Sequence, residues 1–340
     1  MLIRLETSPD EIDFSYLAAL TRVNAHAGTH RTLDVLARWG DMRLNPDTAV
    51  SLLAQAAELT LDEFVAAHTE SVTRHVVRCE SSISATYVRW APMGSVLAPF
   101  EHRRLRFCAE CAREDAQTLG RSYWKRTDQL PGRFWCDRHR LPLSETEAEE
   151  FSVAPPTACL VSGRSCGEAV VRASVDHPGV ARYFQLIQAL GTRPGPVTSQ
   201  VAWRVYYFFA IECGVECLDI ADSHEEARRR GKTLVPLAQR VFATFPAAWL
   251  ECVAKLMGHH TPNDFASMLT GLRIPPPCRA PAQAYLLMLT AMFDSVSDAM
   301  SAIDRVERLP TEIPVSPLEV TRKPWRGIKK SKAKADPGPH

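Results

Sequence analysis

The chain has 340 residues, of which 46% are hydrophobic and 23% charged, ordinary values for a globular protein that buries its own core. Its 40 basic residues nearly balance its 39 acidic ones, and the net charge of +1 excludes a uniformly basic nucleic-acid coat. Because the N-terminus shows no signal peptide and no apolar stretch approaches the roughly 20 residues that span a bilayer, we expect a cytoplasmic protein whose ten cysteines are metal ligands or buried apolar groups.

Residues 1–100 are predicted to form a helical N-terminal domain. Apolar residues recur at helical spacing over 11–23, and a second helix is predicted over 32–39, with Gly40 as its cap. The segment 45–57 begins with Asn-Pro-Asp-Thr, a typical helix start with proline in the first turn. We therefore expect a run of short helices here.

A capping box marks the start of the next helix. Thr60 precedes an apolar run and Glu63 follows three positions later, the spacing that lets each cap the other. With the helix over 45–57 this predicts either a helix-turn-helix or an ordinary helical hairpin. Glu58 stands where DNA-binding examples often have glycine, and few basic residues lie on 61–68, so a base-reading helix has no support in the sequence.

Residues 101–178 are predicted to form a small zinc-knuckle or zinc-ribbon module. Cys108 and Cys111 are separated by two residues, and Cys136 and His139 repeat that spacing after 24 intervening residues. Each pair can bind one ion from a tight knuckle, and four thiolate and imidazole ligands suit tetrahedral zinc. A complete set of protein ligands leaves no position for a reactive water, so the spacing indicates one structural Zn²⁺ that helps the module to fold.

Basic and aromatic residues surround these two pairs. Arginines interleaved with Tyr123 and Trp124 can meet phosphates by charge and stack on bases. Alternatively, Trp124 and Leu130 pack a small core under the ion while the arginines form a solvated face, and the sequence leaves both interpretations open. The candidate nucleic-acid or partner contacts are Arg103, Arg104, Arg106, Lys125, Arg126, Arg133, Arg138 and Arg140.

Helical patterns return in residues 179–310, the predicted C-terminal helical domain. They cover 200–213, 234–245, 247–256 and 282–300, and three prolines at 275–277 separate the last two. Residues 311–340 form a basic tail with few apolar groups, which we expect to be disordered. The whole chain is thus predicted to be mainly α-helical around a small zinc module.

No catalytic motif accompanies this pattern. The sequence contains no Gly-rich loop of the type that binds ATP phosphates, no nucleophile elbow and no His-Glu-x-x-His metal motif. The helical pattern also lacks the strands that usually present the metal-binding carboxylates of a transposase. We therefore predict that the protein is not an enzyme.

The segment 103–143 resembles the zinc motif of the TniQ/TnsD family. That motif has the form C-x2-C-x-x-E-D, matched by 108–115, then an aromatic-basic strand, matched by 123–126, and then C-x2-H with a leucine four residues later, matched by 136–143. A weaker similarity extends from the opening helix at 10–17 to a helix that ends at 246. The chain lacks the long C-terminal DNA-reading extension of TnsD members, which favours the shorter TniQ type.

The resemblance implies a target-site-selection adaptor in DNA transposition. Such a protein links a target-recognition device, either DNA or a CRISPR effector complex with guide RNA, to a AAA+ ATPase transposition regulator. Some members form homodimers, and many carry a second zinc, for which only Cys159 and Cys166, with the distant His177, remain here. The alternative is a zinc-containing, sequence-specific DNA-binding transcriptional regulator.

Overall fold

The computed structural model describes residues 2–41, 48–69, 77–78, 104–147, 154–193, 195, 197–210, 212–213, 236–259, 261–271 and 282–309. Thirteen α-helices and five short strands lie in these ranges, which confirms the mainly helical class. The basic tail predicted over 311–340 lies outside the described residues, as does Arg103.

Among the described residues, four helices form the N-terminal part: α1 (Asp13–Val23), α2 (Thr29–Trp39), α3 (Ala49–Ala56) and α4 (Leu61–His68). They enclose one apolar core, to which each contributes fully buried side chains such as Leu17, Leu33, Leu53 and Phe64. A short strand, β1 (Val77–Arg78), follows. Because this core is closed among its own helices, the four-helix unit has an apolar interior of its own.

The turn between α3 and α4 confirms the predicted capping box. The Thr60 hydroxyl accepts from the Glu63 amide at 3.3 Å, and the Glu63 carboxylate accepts from the Thr60 amide at 2.9 Å. Glu58 has a φ of 59°, the left-handed conformation in which glycine is common. The backbone therefore adopts the turn without the glycine, and the choice between a helix-turn-helix and a hairpin stays open.

A three-stranded antiparallel sheet and one helix form the cysteine-bearing module. The sheet has the order β2 (Arg104–Phe107), β3 (Ser144–Glu147), β4 (Arg164–Ser165), with Leu105 opposite Thr146. Helix α5 (Ala109–Leu119) follows β2 after a single residue. Gln129 covers the outer edge of β2, since its side chain accepts from the Arg106 amide at 3.0 Å and donates to the Arg106 carbonyl at 2.7 Å.

The largest core belongs to the C-terminal helices. The helix Ala282–Met292 lies at its centre, with a fully buried run from Ala284 to Met292. Strand β5 (Val197–Thr198) pairs in parallel with β1. The eight helices are α6 (Glu168–Ser174), α7 (Pro178–Gly191), α8 (Ser199–Phe209), α9 (Pro236–Thr244), α10 (Ala247–Leu256), α11 (Pro262–Gly271), α12 (Ala282–Met292) and α13 (Val296–Glu307).

Packing crosses both predicted domain boundaries, at 100 and at 178. Phe14, at the start of α1, shares a buried cluster with Phe107 and Trp124 of the module. On the other side, Trp135 belongs to the C-terminal core, and the Trp249 indole donates to the Gly132 carbonyl at 2.8 Å. The module therefore lies between the two helical parts, and the boundaries themselves stay a prediction.

Within the described ranges, no single helix is long and apolar enough to cross a bilayer. One pair, Gln283–Met292 with Val296–Glu307, meets the requirements of length and composition together, but its two helices are bent by 110° to each other.

We expect Gly132→Ala to lower the free energy of unfolding by about 2 kcal/mol or more, and Gly120→Ala by about 1 kcal/mol. Both glycines have left-handed φ values, 85° and 68°. An added Cβ at 132 would lie 2.6 Å from the Trp249 ring, whereas one at 120 would meet nothing within 4 Å. Denaturant unfolding measures both changes, and equal losses would contradict the packing of Trp249 on this turn.

Candidate metal centre

Two structural elements bring the four predicted ligands together. Cys108 directly follows β2 and caps α5, and Cys111 lies in the first turn of that helix. The second pair is on a tight turn, where the Arg140 amide donates to the Cys136 carbonyl at 2.8 Å and the Cys136 amide donates to the Leu141 carbonyl at 2.9 Å. The left-handed φ of 58° at Arg140 closes this turn so that His139 faces α5.

The four ligand atoms lie within 4.8 Å of one another. The His139 Nδ1 is 3.5 Å from the Cys108 sulfur, 3.4 Å from the Cys111 sulfur and 3.7 Å from the Cys136 sulfur. The Cys111 and Cys136 sulfurs are 3.6 Å apart. A tetrahedral zinc ion with its usual bond lengths needs ligand separations of roughly 3.5–3.8 Å. The cluster could therefore hold a metal ion such as zinc, and its geometry fits tetrahedral coordination.

The burial and the hydrogen bonds of the three thiols also suit the binding of a cation. All three sulfur-bearing side chains are buried, and only His139 is partly exposed. The hydrogen bond with Cys108 raises the pKa of Cys111, and the hydrogen bond from Cys108 lowers the pKa of Cys136. A bound divalent ion would displace the thiol protons, since only thiolates coordinate metals.

The Glu114 carboxylate contacts the edge of the His139 ring that faces away from the sulfurs, and so fixes the orientation of the ring. With Nδ1 directed at the sulfurs, the Nε2–H of His139 points to the Glu114 carboxylate at 3.2 Å, and metal-ligating histidines commonly donate their other ring N–H to a carboxylate in this way. Glu114 also forms an ion pair with the exposed Arg138 at 2.8 Å. The backbone amide of His139 donates to the Cys136 sulfur at 3.4 Å, which stabilises negative charge on that ligand.

The role of Glu114 was missed from the sequence, although its position carried a signal. It follows Cys111 by three residues on α5, the spacing that places two side chains on the same helix face. A carboxylate at that position lies beside whatever the cysteine binds.

The structure does not bring the second predicted zinc ligands together. Cys159 packs in the apolar cluster around Trp124, whereas Cys166 packs beside the cysteines of the first site. His177 caps α7, since its Nδ1 accepts from the Gly179 amide at 3.2 Å. Among the described residues, Cys159, Cys166 and His177 belong to no group of three or more ligands.

The described basic candidates all have partners within the chain. Arg106 is buried and donates to the carbonyls of Gln129, Leu130 and Arg133 at 2.8–3.1 Å, so its guanidinium supports the fold. Six form ion pairs with carboxylates: Arg104 with Glu145, Lys125 with Asp115, Arg126 with Asp10, Arg133 with Asp137, Arg138 with Glu114 and Arg140 with Asp176.

Burial divides this set further. Arg133 is buried and lies 3.9 Å from the centre of the Phe184 ring, whereas Lys125 and Arg126 are about one-fifth exposed. Arg104, Arg138 and Arg140 are exposed and remain candidates for contact with a partner or a phosphate.

A comparison with protein families identifies the first part of the chain, from the N-terminal helices to the metal cluster. Residues 2–143 match the family model described as TniQ, and this range contains all four clustered ligands. This stretch is a TniQ family domain. TniQ proteins are transposition factors and not known enzymes, so the match implies a transposition-associated protein. The TniQ match includes the opening helix at 10–17 and ends at Leu143, so the part of the weaker similarity that continued to 246 lies outside it. No curated protein matches the chain.

We expect the purified protein to contain about one zinc ion per chain and Cys136→Ser to contain almost none, because three ligands hold the ion far more weakly than four. Elemental analysis by mass spectrometry measures the metal. Cys252→Ser is the matched control, since Cys252 lies on α10 outside the cluster. Retention of a full zinc equivalent by Cys136→Ser would exclude Cys136 as a ligand.

Glu114→Ala should weaken zinc affinity by about 10-fold to 100-fold, because the His139 imidazole loses the carboxylate that orients it. Competition with a zinc chelator measures the affinity. Glu110→Ala is the control on the same helix, since Glu110 is exposed and pairs with Arg113. Arg138→Ala removes the second partner of Glu114 and should leave the affinity near that of the wild type. An equal effect of all three variants would indicate a general loss of helix stability.

Proposed function

We propose that this protein is a target-site-selection adaptor in DNA transposition, acting in the cytoplasm, which links a target-recognition device to a AAA+ transposition regulator. The observation that carries the proposal is a TniQ domain built around a complete Cys₃His cluster. A complete ligand set favours a structural ion over a catalytic one. The sequence contains no phosphate-binding loop, so the ATPase would be a separate protein.

The surface of the TniQ domain supports a protein partner more than stand-alone DNA reading. In a helix-turn-helix the first turn of the second helix meets base edges. Here that turn carries the exposed carboxylates of Asp62 and Glu63, which would face phosphates of the same charge. At its other end, α4 is held by Arg126, which donates to the Ala66 carbonyl at 2.8 Å.

One feature favours a direct DNA contact as a second activity. Residues 322–334 contain seven basic residues and no acidic one, whereas the remaining 33 basic and 39 acidic residues give the rest of the chain a net charge of −6. Such a segment attracts a phosphate backbone without reading its sequence. The stand-alone DNA-binding regulator is the alternative that this feature would support.

We expect the tagged full chain, after nuclease treatment, to capture a AAA+ ATPase encoded beside its gene. Mass spectrometry identifies the captured proteins, including any CRISPR effector subunit that would mark an RNA-guided route. Cys136→Ser should lose the capture and Cys252→Ser should keep it. Capture of no ATPase by a zinc-loaded protein that binds one DNA sequence tightly by itself would replace the adaptor with the regulator.

A salt titration of binding to duplex DNA separates non-specific phosphate contact by residues 322–334 from the sequence-specific binding of a stand-alone regulator. Non-specific phosphate contacts by four lysines should contribute a slope of roughly −3.6 in a log–log plot against salt. Replacing Lys329, Lys330, Lys332 and Lys334 by Gln should remove that contribution. Replacing the four basic residues of another cluster, Arg228, Arg229, Arg230 and Lys232, by Gln is the charge-matched control.

A further inference from the structure

A buried ion pair joins the N-terminal helices to the metal module. The Glu11 side chain is fully buried, and both of its oxygens accept from the Arg121 guanidinium, at 2.5 and 2.7 Å. The Ser15 hydroxyl and the Ser8 amide donate to the same carboxylate at 3.1 and 3.0 Å. Arg121 is the ion-pair partner of Glu11 among the described residues, so without it the buried carboxylate would lose its direct charge partner.

The backbone beside this pair is joined as well. The Ile12 amide donates to the Trp124 carbonyl at 3.0 Å, and the Arg126 amide donates to the Asp10 carbonyl at 2.8 Å. The Asp10 carboxylate accepts from the Arg126 Nε at 3.1 Å and from the Thr127 amide at 3.0 Å. Residues 8–15 are thus held along the segment 121–127.

The far end of the four-helix unit is attached at the same place. Arg126 donates to the Ala66 carbonyl near the end of α4, and the ring of His68 lies 2.7 Å from the Glu11 carbonyl through its Nδ1. The start of α1 and the end of α4 therefore meet one short segment of the module. Residues 121–127, which make these contacts, are called the docking segment below.

The docking segment directly follows the helix that carries two ligands of the metal cluster. It begins two residues after α5 ends, and α5 carries Cys111 while Cys108 caps it. The sheet beneath α5 has strands of only four, four and two residues, and the apolar clusters of this module are small. Modules of this size usually need a metal to fold. Helices α1–α4, in contrast, have the separate core described above.

We propose that metal binding at the Cys₃His cluster controls the docking of the N-terminal four-helix unit, with the Arg121–Glu11 ion pair as the coupling contact. With the ion bound, α5 presents Arg121 and the docking segment holds residues 8–15 and the end of α4. When the ion is lost, the docking segment loosens and the four-helix unit is released with its own core intact. The proposal is independent of the adaptor function, because it concerns only the coupling between two parts of one chain.

Thermodynamic linkage makes the coupling reciprocal. If the ion strengthens docking by a given factor, docking must strengthen binding of the ion by the same factor. Arg121→Gln breaks docking and leaves all four ligands in place. This variant should therefore still bind one zinc ion when zinc is in excess. Its zinc affinity should be lower than that of the wild type by the ratio of two docking equilibrium constants, those of the metal-bound and the metal-free wild type.

Hydrogen exchange of the full chain, read by mass spectrometry, tests the proposal with zinc and with excess chelator. We expect chelation or Cys136→Ser to lower protection of residues 8–15 by about a hundredfold, as typical of a broken buried ion pair. Protection at Leu20, Leu33 and Leu53 should stay unchanged. Arg121→Gln should lose protection at 8–15 even with zinc, and Arg113→Gln, an exposed residue of α5, should behave as the wild type.

Two results would overturn the proposal. One is unchanged protection of residues 8–15 in chelated protein that has demonstrably lost its zinc. The other is a parallel loss of protection at Leu33 and Leu53, which would mean that the whole N-terminal part unfolds with the module instead of being released from it. A chain that captures no ATPase yet shows metal-dependent protection at 8–15 would remove the adaptor function and keep the docking device.

Discussion

Three sulfurs and an imidazole nitrogen held within 4.8 Å of one another set the main physical constraint on this chain. Thiolates at such distances repel one another in a buried site, and a divalent cation turns that repulsion into cohesion. The contacts that unite the module extend from this point: Cys108 caps α5, β2 ends beside it, and the turn at Cys136 is closed by its own hydrogen bonds. The two helical parts pack on opposite sides of this centre.

Short-range patterns in the sequence were enough to predict the ligand set and the Thr60–Glu63 capping box. In both cases the residue spacing itself determines the geometry, since two ligands of a knuckle, or a cap and its third residue, are neighbours in the chain. The mainly helical class followed in the same way from apolar residues at helical spacing. These features depend on local backbone geometry, which a single sequence displays directly.

Long-range pairs were not predictable in this way. Glu11 and Arg121 are 110 positions apart, and the local pattern around either residue does not indicate the other. Nor did the sequence distinguish the buried Arg106 from the exposed Arg104, although they lie two residues apart on one strand. Arg106 finds three carbonyls in the turn at 129–133, and only the folded chain brings that turn under it. Charge and spacing alone could not separate a structural arginine from one available to a partner.

The acidic first turn of α4 and the paired arginines of the module both favour a protein partner over a direct contact with phosphate. A basic side chain already paired with a carboxylate brings less net charge to a phosphate contact than an unpaired one would. Under the proposed adaptor function, such a surface would favour a protein partner, and a non-specific attraction to DNA would come from residues 322–334.

Gln129 also protects the outer edge of the small sheet. Its amide occupies the hydrogen-bonding groups that β2 presents at Arg106, where a neighbouring strand would otherwise pair. Exposed strand edges recruit strands from other chains and promote aggregation, and a side chain in that position blocks such recruitment at the cost of one residue. Under the proposed adaptor function, copies of this protein gathered at one insertion site would thus be kept from pairing through this edge of β2.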